Sequence, residues 1–416
     1  MSPQTAGECC TEYAGLTRRG LLRGALGIGV ATSVFGTTFV QTSYAATRPS
    51  SSVLVLISLR GAADGLSLVV PHGDPAYYSA RPTIAVPAGA LLVPDSMFGL
   101  HPSLAPLLPL WNAGQVAAVH ATGLPAPNRS HFEAMEELEE ADPGSAARIG
   151  WINRLIGRDT YTNALQAIGM GMSSPITALY GPQPTVTTAS VDDMTLAGVD
   201  AWDRGRRRAS LNTLWAHAPG RAGTGARSAL AAVSDFGPVR ATPDTPANGA
   251  AYPDDDLGAA LLSTARTIKG NIGADVIAVD HDGGWDMHTD LGTLASGQML
   301  SAAGSLAGGL AAFFADLGDA ASNVTVVAIT EFGRRVRENG NAGVDHGYGS
   351  VMFLLGAGVN GGYHATWPGL VDADDIDLDV TTDYRSVLSE VVVKRFGASP
   401  SSVFPGFTPA PVGAMA

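Results

Sequence analysis

Apolar residues along this chain gather in short runs that end abruptly in glycine, acid or histidine. Residues 52–59 are rich in Val, Leu and Ile with little alternation, the pattern of a strand covered on both faces. Strand-like runs recur at 115–121, 164–170, 275–279, 324–330 and 351–355. Helical patterns lie between them: 104–111, 130 to about 140, 149–156, 257–270, one long amphipathic stretch at 291–317 (a break at its glycines being the alternative), and 383–396. Strands alternating with helices, and separated by more than hairpin loops, predict an α/β fold built on a doubly wound, mostly parallel sheet. In such sheets ligands bind at the carboxyl ends of the strands.

The pattern weakens between 172 and 256, where a basic helix near 204–218 and a proline-rich stretch at 236–256 stand out. This region is read as a cap or insertion in a single domain spanning 46–416, its proline-rich part a linker or mobile loop. The N-terminal 45 residues have another pattern. Thr17-Arg18-Arg19-Gly20-Leu21-Leu22 precedes a Gly/Ala-rich apolar segment, and Ser43-Tyr44-Ala45 supplies small residues for cleavage. That is the signature of a twin-arginine export signal, so the expected location is periplasmic, cell-surface or extracellular. A membrane anchor is the alternative, but the segment is short for a span of about 20 residues. No membrane span is expected after cleavage.

Composition narrows the function classes. Hydrophobic residues make up 45% of the 416, the mark of a globular chain. The net charge is −13, with Lys269 and Lys394 the only lysines, so nucleic acid is not an expected partner. Cys9 and Cys10 both lie in the leader, so no disulfide is expected in the exported protein.

Candidate chemistry sits where the apolar runs stop. Asp64 lies in the glycine-rich turn after the first run, and Ser130-His131 opens a helix. Asp280, Asp282, Asp286 and His288 follow the 275–279 run; Glu331, Arg334 and Arg335 follow 324–330; Asp345-His346 sits between glycines. Carboxylates and imidazoles in this ratio suit zinc or manganese, as one or two ions. Asp286-Met287-His288 is the sharpest pattern, because i and i+2 of an extended segment point the same way. Ser130 reads equally as a nucleophile at a helix N-terminus or as the cap of Ser130-His-Phe-Glu133. Arg334 and Arg335 read as anion clamps or as ion-pair partners.

Five motifs then align with a known family. Leu59-Arg-Gly-Ala-Ala-Asp64-Gly-Leu, Asn128-Arg-Ser130-His131-Phe-Glu-Ala, Gly284-Trp-Asp286-Met-His288, Thr330-Glu331-Phe-Gly-Arg-Arg335 and Asp345-His346-Gly resemble the Tat-exported domain-of-unknown-function 1501 family. Trp367-Pro-Gly-Leu370 and Thr382-Asp-Tyr-Arg385 resemble its C-terminal signatures. That family is grouped with the alkaline phosphatase-like superfamily of phosphatases and sulfatases.

The resemblance implies a metal site at the strand ends, with Ser130 as nucleophile and Asp64, Asp286, His288, Glu331, Asp345 and His346 as metal ligands. His131, Asp280, Asp282, Arg334 and Arg335 stand as auxiliary residues. Asp286 and His288 are one residue apart where the superfamily has three, and Phe332 stands where it often has histidine; the ion count is left at one or two. The expectation is a secreted, metal-dependent hydrolase acting on a small anionic phosphate or sulfate ester. The alternative is a non-enzymatic, metal-stabilised secreted or surface protein of the same fold, acting with a co-exported protein partner.

Overall fold

The computed structural model describes residues 33–35, 38–40, 47–158, 163–196 and 204–416. Apart from two short strands, the expected export signal lies outside the described residues. The strands, in chain order, are β1 Ser33–Phe35, β2 Thr38–Val40, β3 Val53–Leu59, β4 Val69–Val70, β5 Gly99–Leu100, β6 Val116–Gly123, β7 Ala167–Met170, β8 Val186–Thr188, β9 Val276–His281, β10 Val324–Ile329, β11 Ser350–Gly356, β12 Gly362–His364 and β13 Thr382–Asp383. Eleven of them make one sheet in the order β1-β2-β8-β7-β9-β3-β10-β11-β6-β12, with β13 also on β6. The central run from β8 through β7, β9 and β3 to β10 is parallel. β11 is antiparallel to both β10 and β6, so β6 runs the same way as β10. The sheet is therefore the mostly parallel α/β sheet that the sequence predicts.

Both faces of the sheet are covered. In β3, Val53, Val55, Ile57 and Leu59 enter one core while Leu54 and Leu56 enter the other. This explains why the sequence shows no polar alternation there. The first core takes apolar side chains from the helices Gly220–Asp235, Asp256–Gly270 and Gln298–Leu317. The second takes them from His131–Glu140, Trp151–Ile156 and Tyr384–Phe396.

Local chemistry shifts two boundaries. The long helix expected from 291 begins at Gln298, because Gly292 and Gly297 fold against each other ahead of it. A Cβ on Gly297 would lie 2.2 Å from Gly292 Cα, an approach that two glycines alone permit. The run at 164–170 divides into a 3-10 turn, Ala164–Gln166, and β7.

Within 172–256, β8 joins the main sheet, and the helix Gly220–Asp235 contributes Ala229, Leu230 and Val233 to the first core. The proline-rich stretch is fastened by buried Asp316, which accepts from Ala247 N at 2.5 Å and from the Tyr252 hydroxyl at 3.0 Å. Among the described residues one helical stretch, Gln298–Asn323, is long and apolar enough to cross a membrane, and it carries core residues Leu306, Leu310 and Phe313.

Candidate metal centre

β3, β6, β9 and β10 deliver their carboxyl ends to one edge of the sheet, and β11, running the other way, starts there. The segments that follow the first four and precede the fifth therefore meet. They bring together His131 after β6, Asp286 and His288 after β9, Glu331 and Arg334 after β10, and Asp345-His346 ahead of β11. Backbone spacing makes this meeting possible. Gly61, just past β3, has φ +112°, and a Cβ there would sit 2.8 Å from Asp286 N. Gly347 passes so close to Arg334 that a Cβ would lie 2.3 Å from its carbonyl carbon.

Three imidazole Nε2 atoms gather around one carboxylate oxygen. Nε2 of His346 lies 3.0 Å from that of His131 and 3.0 Å from that of His288. Asp286 Oδ1 lies 3.1 Å from His288 Nε2, 3.4 Å from His346 Nε2 and 3.6 Å from His131 Nε2. His131, Asp286 and His346 form a trio that could hold an ion, their donor atoms all within 4.8 Å of one another. His288 joins at the exposed side, touching Asp286 and His346.

Each ring is held from behind. The Nδ1–H of His131 donates to Glu331 Oε1 at 2.8 Å, that of His288 to Asp345 Oδ1 at 2.9 Å, and that of His346 to the Arg129 carbonyl at 2.9 Å. A proton on Nδ1 leaves the Nε2 lone pair facing the centre, the tautomer a metal requires.

The spacing fits an ion. Ligand bonds of about 2.0–2.1 Å in a tetrahedral zinc site separate the donors by roughly 3.3 Å. The five separations above bracket that value. Three neutral nitrogens aimed at one another would otherwise repel.

Without a cation the cluster relies on protons. Burial opposes a charge on His131, but hydrogen bonds to Asp286 and Glu331 prevail and hold it up at about 9. His288 is raised by its bond to Asp286, against burial. Asp286 is driven well below the carboxylate range: burial alone would raise it, and the three histidines with Arg334 reverse that. Glu331, almost wholly buried, is lowered by His131 and by the Gly61 backbone N–H in spite of its burial.

Against the expected ligand set, the structure redistributes several roles. Asp64 is buried on Arg81, with Oδ2 at 2.5 Å from Nη1 and Oδ1 at 3.0 Å from Nη2, and it also accepts from Ser67 Oγ at 2.5 Å. Its lone pairs are taken by a fixed guanidinium rather than by the cluster. Glu331 and Asp345 stand behind the imidazoles as their hydrogen-bond partners. His131, expected as an auxiliary residue, is one of the converging donors.

Arg334 is fully buried and donates to the carbonyls of Ala62 at 2.6 Å, Gly61 at 2.5 Å and Val344 at 3.1 Å, and to Asp286 at 2.7 Å. It braces the ligand loop, with Nε and Nη2 committed to the Ala62, Gly61 and Trp285 carbonyls and to Asp286. Arg335 donates to the His346 carbonyl at 3.2 Å.

Asp280 pairs with Arg60 at 2.9 Å, and the same guanidinium reaches Glu139 at 2.8 Å. Burial, partly offset by Arg60, pushes Glu139 up to about 7. Asp282 is exposed, on a cleft of about 750 Å³ shared with Asp255 and Asp256. Ser130 is the N-cap residue of the helix His131–Glu140, yet its side chain makes no capping bond.

His131 and Arg81 are the residues that sequence reasoning undervalued. His131 follows directly on the motif serine, and the first residue of a helix placed at a strand end was the available signal. Arg81 lies 17 residues from Asp64 in an irregular stretch, and no spacing points to the pair.

The family model described as "Protein of unknown function (DUF1501)" matches residues 218–383. That span contains Asp286, His288, Glu331, Asp345 and His346, and it excludes Asp64, Ser130 and His131. No curated protein matches this chain. Among solved structures, the chain is similar to the lipoteichoic acid synthase LtaP from Listeria monocytogenes. The identity is 9% and the TM-score 0.33, covering 85% of this chain and 78% of that one.

Proposed function

We propose that this protein is a metal-dependent hydrolase of phosphate or sulfate esters with an alkaline phosphatase-like arrangement, exported by the twin-arginine route. The observation that carries the reading is the convergence of three Nε2 atoms and Asp286 Oδ1, each ring held by a hydrogen bond at Nδ1. Imidazole-rich donors favour zinc over manganese, which prefers oxygen ligands. A single ion is favoured, since the acids that would hold a second are already neutralised: Asp64 by Arg81 and Asp280 by Arg60. When bound, zinc supplies Lewis acidity and lowers the pKa of a coordinated hydroxyl or water.

The chain's own residues account for the rest of the reaction. Asp286 and the imidazoles of His131 and His346 would hold the ion, with His288 beside the position left open. Glu331, Asp345 and the Arg129 carbonyl fix the rings, so no reorganisation is needed as charge develops. Ser130, whose side chain is not used for capping, supplies the hydroxyl. Its oxygen bonds to the phosphorus or sulfur, the ester oxygen leaves with a proton as the alcohol, and water then cleaves the seryl ester.

A non-enzymatic, metal-stabilised protein is the second reading, and His288 is the observation in its favour. An ion held by His131, Asp286 and His346 keeps one position open, as catalytic zinc does, whereas His288 as fourth ligand would close the shell. Zinc-loaded protein is expected to hydrolyse p-nitrophenyl phosphate or p-nitrophenyl sulfate, with Ser130→Ala lowering the rate at least about a hundredfold. Zinc-replete protein with no turnover on either ester would establish the structural reading instead.

A further inference from the structure

An ester hydrolase needs cations for the anionic end of its substrate, and the buried arginines do not provide them. Arg334 is spent on carbonyls and Asp286, and Arg81 on Asp64. Two other guanidiniums lie at the rim of the cluster, and both reach one carboxylate. Arg129 pairs with Asp377 Oδ2, and Arg335 Nε lies 3.6 Å from Asp377 Oδ1.

Each arginine is tied to the same metal-cluster residue. The Arg129 carbonyl accepts from His346 Nδ1 at 2.9 Å, and Arg335 Nε donates to the His346 carbonyl at 3.2 Å. Arg129 is also the residue directly before Ser130.

The carboxylate between them is an imperfect guest. Asp377 Oδ1 is buried without a hydrogen-bond partner, and so is Arg335 Nη1, which lies 3.0 Å from the exposed Asp375 carboxylate without the alignment of a bond. A buried acceptor and a buried donor left unpaired side by side are costly, and a ligand that satisfied Nη1 would remove part of that cost. Two guanidiniums from different chain segments make a forked donor array suited to a tetrahedral oxyanion. Asp377 reaches them on a segment bridged to Arg335, with the Val336 N–H on the Ile376 carbonyl at 3.0 Å and the Gly349 N–H on the carbonyl of buried Leu378 at 2.9 Å.

From this geometry we infer that Arg129 and Arg335 form an oxyanion-binding subsite at the rim of the metal centre. It holds the Asp377 carboxylate in the present state and takes a sulfate or phosphate group in its place. The inference rests on reading the cluster as an ester-binding centre, and it assigns the charge of the substrate to these two side chains.

The test is calorimetric titration of the zinc-loaded full chain with inorganic sulfate. Asp377→Asn removes the internal competitor and is expected to tighten sulfate binding roughly tenfold. Adding Arg129→Ala to that variant is expected to abolish the gain. Equal affinity in wild type and Asp377→Asn overturns the inference, as does a gain that survives loss of Arg129, which would place sulfate on the ion alone. If Asp377→Asn does not fold, Arg129→Ala in the wild-type background decides the matter: weaker sulfate binding supports the subsite, and unchanged binding overturns it. Turnover of p-nitrophenyl phosphate is scored separately. Sulfate binding that follows the predicted pattern without turnover would support the subsite while counting against the hydrolase.

Discussion

Single side chains at this site divide into donors and holders, and the two kinds answer differently to substitution. Glu331 is a holder: it fixes His131 at 2.8 Å and is itself fixed by the Gly61 N–H at 2.9 Å and the Thr330 hydroxyl at 2.8 Å. Glu331→Gln keeps the volume but removes the charge that favours the correct tautomer. It is expected to weaken zinc binding about 10- to 100-fold, measured by competition with a chromogenic chelator. A variant that binds zinc as tightly as wild type would remove Glu331 from the centre. Asp64 is expected to behave otherwise. With Arg81 fully buried, Asp64→Asn leaves an uncompensated charge and costs about 3–5 kcal/mol in denaturant unfolding. Zinc stoichiometry should stay unchanged, and a loss of bound zinc in a folded Asp64→Asn protein would return Asp64 to the ligand set.

At the scale of elements, the close approach of the post-β3 turn to the ligand loop sets the position of Asp286. Gly61 has no Cβ to collide with Asp286 N, and its φ of +112° is one that L-residues rarely adopt. Gly61→Ala is therefore expected to cost about 1–3 kcal/mol and to lower zinc affinity by moving Asp286. Gly304→Ala serves as the control, since no atom lies within 4 Å of a Cβ built there and the residue sits within the helix Gln298–Leu317. Equal zinc affinity in the two variants would mean that the turn does not position the ligand.

The same elements show what the sequence discloses and what it withholds. Strands buried on both faces, such as β3, announce themselves because the parallel sheet leaves no polar alternation. Asp286 and His288 were legible because a spacing of two suggested one side; in the structure the His288 N–H turns back onto the Asp286 carbonyl at 3.1 Å, and Met287 enters the core. The partners of charged residues were not legible. Asp64 with Arg81 and His131 with Glu331 are joined by packing between distant segments, and local periodicity carries no record of that. The glycines of 291–317 suggested a break but not its place: the Gly292–Gly297 contact that sets the start at Gln298 is a turn geometry, and the apolar count runs straight through it.

Across the whole molecule, the cluster fastens three stretches of chain that the sheet alone only brings near one another: the start of the His131–Glu140 helix, the loop after β9 and the segment before β11. Zinc that binds the folded state alone should stabilise it by about 2.7 kcal/mol at a free concentration a hundred times its dissociation constant. The pH dependence follows from His131. In the ion-free protein its pKa is raised from 6.5 to about 9, so the folded state binds the proton more tightly than the unfolded state does. That contribution is fully present below about 6.5 and is lost as pH rises through about 9. Zinc must displace the same proton, so its affinity grows over the same interval. The gap in melting temperature between zinc-loaded and chelator-treated protein should therefore widen from pH 6 to pH 9. Glu139, raised from 4.5 to about 7, works in the other forms of the protein alike: its folded state holds the extra proton, and stability falls as pH rises from 4.5 through 7 whether or not zinc is bound. Because it shifts both melting curves together, it cannot produce a widening gap. Melting curves recorded with and without zinc at the two pH values separate these effects, and a gap that is constant or narrows toward pH 9 would rule out His131 as a ligand whose proton the metal replaces.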